Sequence, residues 1–195
     1  MAQPAFHPEP TSHVSPEDYL RLEREAEFKH EYFQGEIRAM AGAGYAHNLI
    51  CANLTGMLYS QLRGKNCSVV GSDQRLQIMS GSAFAYPDLT VVCGKPEFNE
   101  EKKPDTLLNP TLLVEVLSPT TSQYDRSEKF MLYRQMPSLR QHLTLDAQAT
   151  HAELHTLDDL GRWVLTETRA LSAALDLSSI GCQVPLVEVY AGVTF

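Results

Sequence analysis

Six consecutive residues, Leu112 to Leu117, read L-L-V-E-V-L, an apolar run broken by one carboxylate. A run of this kind, without polar alternation, suits a central strand covered on both faces. Burying Glu115 there is costly unless something compensates its charge. A second β-prone run, Tyr86–Val92, reads Y-P-D-L-T-V-V and carries Asp88. The two acids are 27 residues apart (115 − 88), which suits adjacent strands joined by a loop. A helix-like segment follows, D-R-S-E-K-F at Asp125–Phe130, with Lys129 14 residues past Glu115 (129 − 115).

Two acids and a lysine suggest a shared partner such as a divalent metal. Mg²⁺ takes hard oxygen ligands in octahedral geometry and keeps several waters. Beside a phosphodiester it polarises the phosphoryl oxygen and activates a bound water, and a nearby lysine stabilises the developing charge. Buried acids also serve as structural hydrogen-bond acceptors, so the residue types alone leave a plain structural role open.

The rest of the chain reads as scaffold. Residues 1–14 hold three prolines and little that packs, and are expected to form a flexible tail. Ser15-Pro16-Glu17-Asp18 is a helix start: a cap, a proline for the first turn, and acids for the positive end of the dipole. The helix is expected to run to about Ala26. Gln34-Gly35 between two short β-prone runs predicts a hairpin turn, flanked by Glu31 and Glu36. Apolar residues Leu49, Ile50, Leu54, Met57, Leu58 and Leu62 follow helical spacing over about 46–63, with Gly64 as a stop. His47 falls in the first turn of that helix.

Strands are expected at Cys67–Val70, Asp73–Met79 and Phe84–Val92, with a turn at Ser80–Ser82. A polar loop over 94–110 carries Lys95, Lys102 and Lys103, which are candidates for phosphate contact. A helix is expected from about Ser122 to Gln135, closed by Met136-Pro137. Short strands follow at Gln141–Asp146, His151–Leu157 and Arg162–Thr168. Residues 170–182 are ambiguous, and Pro185–Ala191 suits a short helix. This order predicts an α+β or mixed α/β fold in one domain over residues 15–195.

The formal charge of −8 and a pI near 5.3 argue against a protein that coats nucleic acid by charge alone. A nuclease stays open, because a bound cation offsets acidic residues. The four cysteines, at 51, 67, 93 and 182, form no C-x-x-C pair, and read as reduced, mostly buried thiols of a cytoplasmic protein. The N-terminus lacks the features of a signal peptide. No window approaches the roughly 18 apolar residues of a membrane span, so no membrane partner is expected. No Walker loop, zincin helix or nucleophile elbow is present. His142, His151 and His155 show no spacing that ties them to the acids and read as surface residues. Tyr86 and Asp73 read as structural.

Six segments together resemble a known family. They are K-H-E-Y-F-Q-G-E-I at Lys29–Ile37, A-G-A-G-Y-A-H-N at Ala41–Asn48, G-S-D at Gly71–Asp73, Y-P-D at Tyr86–Asp88, V-E-V-L-S-P-T-T at Val114–Thr121 and Y-D-R-S-E-K-F at Tyr124–Phe130. In this order the chain resembles the Uma-two restriction-endonuclease family of the PD-(D/E)XK nuclease superfamily, from about Ser15 to Val193. The resemblance implies a restriction-endonuclease-like core, a central mixed β-sheet flanked by helices. It puts the motif's P-D on Pro87-Asp88 and its second acid on Glu115. It departs from the superfamily where the motif's lysine should stand, two residues past Glu115, because Leu117 is there. The implied substitute is Lys129, returned to the site from the following helix. Glu36 matches an early acidic metal-holding residue. His47 and Arg126 are implied phosphate or substrate contacts.

Two functions follow from this. The first is a Mg²⁺- or Mn²⁺-dependent endonuclease acting on DNA, with Asp88, Glu115 and Lys129 as its catalytic set. Glu36, Asp88 and Glu115 would then be its metal ligands. The second is a catalytically inactive nuclease-fold protein serving as a binding or assembly module, which Leu117 and the net charge favour. An acidic, short-stranded chain with a covered core also suits a homodimer.

Overall fold

The computed structural model describes residues 13–99, 105–118 and 129–195. Helix α1 spans Pro16–Glu25, and the Ser15 hydroxyl caps it by accepting the Asp18 backbone N–H at 3.1 Å. The hairpin β1 (His30–Phe33) and β2 (Glu36–Ala39) turns at Gln34-Gly35, both at positive φ. Glycine adopts that conformation without steric cost. Helix α2 spans Tyr45–Leu62, and Gly64 follows it at φ 78°. Val14, expected in the tail, already belongs to the fold: its N–H donates to Gly35 O and its carbonyl accepts the Tyr32 hydroxyl. Residues 1–12 of the expected tail lie outside the described residues.

Strands β3 (Cys67–Gly71) and β4 (Arg75–Ile78) come next. The expected strand over Phe84–Val92 is two strands, β5 (Ala83–Ala85) and β6 (Leu89–Cys93), broken at Tyr86-Pro87-Asp88. Pro87 lacks an N–H and cannot continue a ladder. The chain therefore leaves one sheet at Ala85 and enters another at Leu89, with Asp88 at the seam. Within the polar loop, β7 (Thr106–Leu107) pairs parallel to β4. The chain goes on through β8 (Leu112–Leu117), α3 (Phe130–Tyr133), β9 (Gln141–Asp146), β10 (Ala152–Leu157) and β11 (Trp163–Thr168). It ends in β12 (Ala174–Leu177), β13 (Cys182–Pro185) and α4 (Leu186–Val189). The first half of the helix expected from Ser122 to Gln135, residues 122–128, falls outside the described residues, and α3 lies in its second half.

Two mixed sheets carry the fold. One orders β2-β1-β5-β4-β7, the other β11-β10-β9-β8-β6-β3, and β12 pairs with β13 separately. Strand β8 is interior, antiparallel to β6 and parallel to β9, and all six of its residues are buried. Alternation along it sorts its side chains. Leu112, Val114 and Val116 join the core under α2, where Ile50, Leu54, Leu58 and Leu62 form a four-residue stripe. Burying such a leucine or isoleucine contributes about 1.5–3 kcal/mol. Leu113 faces the other way, into a core with Leu76, Ile78, Ala85 and Tyr133, and Glu115 shares the parity of Leu113. A third cluster, Tyr19, Tyr32 and Phe84 with ring centroids 5.1–5.9 Å apart, fastens α1 to the first sheet.

Two expectations are corrected. Cys67 and Cys93 stand directly opposite each other in the β3–β6 ladder and form a disulfide, so only Cys51 and Cys182 are free thiols. His142 and His151 are buried, not on the surface. His142 stands beside Leu113 in the β8–β9 ladder, and Phe130 and Tyr133 of α3 pack against its ring. No helix among the described residues is long and apolar enough to cross a membrane.

Candidate active site

The break at Pro87 sets the site. Tyr86 is held from two sides: its hydroxyl donates to Glu23 Oε1 at 2.9 Å and accepts from the Arg75 guanidinium at 3.2 Å. Burial is the main reason the Tyr86 phenol is pushed up to about 12, where it stays a donor. Two residues on, Asp88 Oδ2 accepts the Val116 backbone N–H at 2.7 Å and lies 3.1 Å from His47 Nε2. Extending the β6–β8 register, Leu89 to Val114, sets Asp88 opposite Glu115. Asp88, at the entrance of one strand, and Glu115, near the end of its neighbour, thus reach the same edge of the sheet.

Glu115 is buried, and its Oε1 accepts the Tyr133 hydroxyl at 2.7 Å. Lys129, also buried, places Nζ 3.3 Å from Glu115 Oε1 and 3.0 Å from Glu31 Oε1. The approach to Glu31 is an ion pair by distance without an aligned hydrogen bond. A charge this deep is costly without partners, and two carboxylates surround this one. These groups open on a cleft of about 920 Å³, whose wall includes Glu31, His47, Asp88, Glu115 and Lys129. Lys29 and Arg38 stand on the same wall.

The expected site residues divide. Asp88, Glu115, Lys129 and His47 share the cleft. Glu36 does not. Its side chain is 69% exposed, paired with Arg38 at 3.0 Å near the hairpin tip on edge strand β2, and it is not part of the cleft wall. Glu31, across the hairpin on the inner strand, stands in the cleft instead. Arg126, Lys102 and Lys103 lie outside the described residues, and so does Asp125. Lys95 is exposed and stands outside the cleft wall. Glu31 and Tyr133 went unmarked in the sequence. The available signal for Glu31 was its setting between His30 and Tyr32-Phe33, whereas Glu36 touches the turn glycine.

The donor chemistry fits a cation. Both bonds to Asp88 fall on Oδ2, which leaves Oδ1 for an ion among the described residues. Glu115 supplies a second carboxylate at the same edge. His47, Cys51 and Asp88 form a further group whose donor atoms lie within 4.8 Å of one another. Burial, reinforced by the charges of Asp88 and Glu115, pushes the Cys51 thiol up, so it is neutral on its own.

A family model named Uma2 and described as "Putative restriction endonuclease" matches residues 16–186. The chain belongs to the Uma2 family. Two relatives from Synechocystis sp., both named uncharacterized proteins, span most of this Uma2 chain. One, slr1290, is 35% identical over 186 residues, covering 95% of this chain and 96% of its own. The other, sll1609, is 32% identical over 161 residues, covering 83% and 90%. The crystal structure of a "putative nuclease belonging to DUF820" from Anabaena variabilis matches with a TM-score of 0.78 at 16% identity, over 93% of this chain and 99% of that one. The Uma2 fold here is thus the mixed α+β, restriction-endonuclease-like architecture that the sequence led us to expect.

Proposed function

We propose that the protein is a metal-dependent DNA endonuclease whose centre is Asp88, Glu115 and Lys129. One observation carries this: the Lys129 ammonium stands 3.3 Å from Glu115 in the cleft that Asp88 also lines. A lysine in that place supplies what Leu117 cannot. Asp88 and Glu115 would hold Mg²⁺ or Mn²⁺, with Glu31 beside them in place of Glu36. The bound ion would polarise the scissile phosphate and activate a water.

The chain's own groups have distinct work in this scheme. The Val116 N–H and His47 fix the Asp88 carboxylate, and Tyr133 fixes that of Glu115. Such supporting bonds typically decide metal affinity by 10–100-fold. Lys129 places positive charge where negative charge grows on the phosphoryl oxygens. Lys29 and Arg38 on the cleft wall suit the flanking phosphates. Two such centres in one assembly would cut both strands of a duplex in one encounter, so the reading includes a homodimer as the double-strand-cutting form.

Purified protein with Mg²⁺ or Mn²⁺ is expected to nick or linearise supercoiled plasmid, and a chelator to stop it. Leu117 at the superfamily's lysine position supports the alternative, an inactive binding or assembly module. That alternative prevails if no DNA form is cut with either ion while DNA or a protein partner is still bound.

A further inference from the structure

Helix α2 turns two donor side chains of different character toward Asp88. His47 and Cys51 are four residues apart, hence on one face of the helix. The Cys51 sulfur lies 3.7 Å from His47 Nδ1, and His47 Nε2 lies 3.1 Å from Asp88 Oδ2. All three residues are partly buried, His47 and Asp88 on the cleft wall with Cys51 behind His47 on the helix, and their donor atoms fall within 4.8 Å of one another. Around a tetrahedral zinc with bonds of about 2.0–2.3 Å, neighbouring donors stand roughly 3.3–3.8 Å apart. An imidazole gives one nitrogen to an ion, and one nitrogen of His47 lies within 4.8 Å of both the sulfur and an Asp88 oxygen, so rotation of these side chains is needed to close the set to that spacing.

We propose that His47, Cys51 and Asp88 form a site for a borderline-soft divalent ion, Zn²⁺ or Co²⁺, that shares Asp88 with the hard-ion site and so blocks it. Nitrogen, sulfur and oxygen donors in one set suit zinc, whereas Mg²⁺ has little use for a thiolate. Three protein ligands leave the fourth position open to the cleft for water. Binding forms a metal–sulfur bond and passes the Cys51 thiol proton to the buffer, since the thiolate is the ligand. Two divalent ions held by one carboxylate repel each other at close range. Oδ1 is the Asp88 oxygen without a hydrogen bond among the described residues, so filling the soft site weakens the hard one. Zinc therefore acts as an inhibitor that competes with magnesium. Only this last effect rests on the nuclease reading. The site itself does not.

Co²⁺ reports on the site directly, since a cobalt–thiolate bond gives a charge-transfer band in the near ultraviolet. The full chain, titrated with Co²⁺ without reductant, should develop that band, retain it in a large excess of Mg²⁺ and lose it to Zn²⁺. Cys182 is buried and Cys67 and Cys93 are paired, so the band reports on Cys51. Cys51→Ser should lack it while keeping the wild-type circular dichroism, and His47→Gln should weaken Co²⁺ binding at least tenfold. In plasmid cleavage, the Zn²⁺ concentration for half-inhibition should rise at least tenfold in Cys51→Ser, each protein measured against its own Mg²⁺-supported rate. Wild-type protein without the band, or Cys51→Ser with the same band, overturns the site. A band in a protein that cuts no DNA upholds the site and removes the nuclease reading instead.

Discussion

The Lys129 ammonium lies 3.3 Å from Glu115 Oε1, although the residue two places past Glu115 is Leu117. The cation that the strand lacks is returned by the segment leading into α3. Helix α3 itself brings Tyr133 to the same carboxylate oxygen.

Removing this cation takes away the positive charge that stands 3.0 Å from Glu31 and 3.3 Å from Glu115, both buried. Lys129→Met is expected to lower stability by about 3–5 kcal/mol, the usual cost of breaking a buried pair from one side. A second change, Glu31→Gln, is expected to recover part of that loss, so the double variant should be more stable than the sum of the singles predicts. Thermal or urea unfolding of the four proteins measures it, and strict additivity would show that Lys129 and Glu31 do not interact.

Glu31 and Glu36 flank the same hairpin turn but differ in setting. Glu31→Gln is expected to lower Mg²⁺-dependent cleavage by about 10-fold or more. Glu36→Gln, at an exposed pair with Arg38, should change stability by no more than about 0.5 kcal/mol and leave the rate within about two-fold. Steady-state cleavage as a function of Mg²⁺ concentration separates them. A loss in Glu36→Gln as large as that in Glu31→Gln would put Glu36 back among the metal ligands.

His142 is fully buried, and neither ring nitrogen has a hydrogen-bond partner among the described residues. Phe130 stacks on it, Tyr133 packs near it, and His155 and Lys129 are the charged or titratable groups that bear on it. Burial, assisted by those two neighbours, drives its pKa from 6.5 down to about 3. The unfolded chain takes up the proton below about 6.5 and the folded one does not, so stability is lost as pH falls through that window. One such proton is worth ~1.4 kcal/mol per pH unit. Between pH 6.5 and 4.5, wild type should lose about 2 kcal/mol more than His142→Leu. Denaturant unfolding at several pH values tests this, and parallel curves for the two proteins would contradict it.

Much of the fold was legible because local chemistry decided it. Ser15 caps α1, Gln34-Gly35 turns the hairpin, and Leu112–Leu117 is the interior strand its apolar run implied. What escaped depended on neighbours far along the chain. The ladder pairs Cys67 with Cys93 across 26 residues, and nothing local to either cysteine announces that. His142 looks like the polar half of an alternating strand until Phe130 and Tyr133 of α3 pack over its ring. The meeting of Asp88, Glu115 and Lys129 in one cleft was legible from the motif acids and from the displaced lysine that the family resemblance supplied. The choice of Glu31 over Glu36 was not, because an acid on either side of a turn looks alike until one strand becomes the edge. Proline 87 was read for its place in the motif, and its effect as a strand breaker, which puts Asp88 at the seam, went unread.

Cleavage of supercoiled plasmid by Asp88→Asn, compared with wild type in Mg²⁺ and in Mn²⁺, tests the proposed centre most directly. Asparagine keeps an oxygen to accept the Val116 N–H, so the fold should survive, as an unchanged melting profile would verify. Wild type is expected to cut with either ion, and Asp88→Asn to be slower by about 10²-fold or more. Equal rates for a folded Asp88→Asn and wild type, or no cleavage by wild type with either ion, would contradict the assignment of Asp88 to a catalytic metal centre.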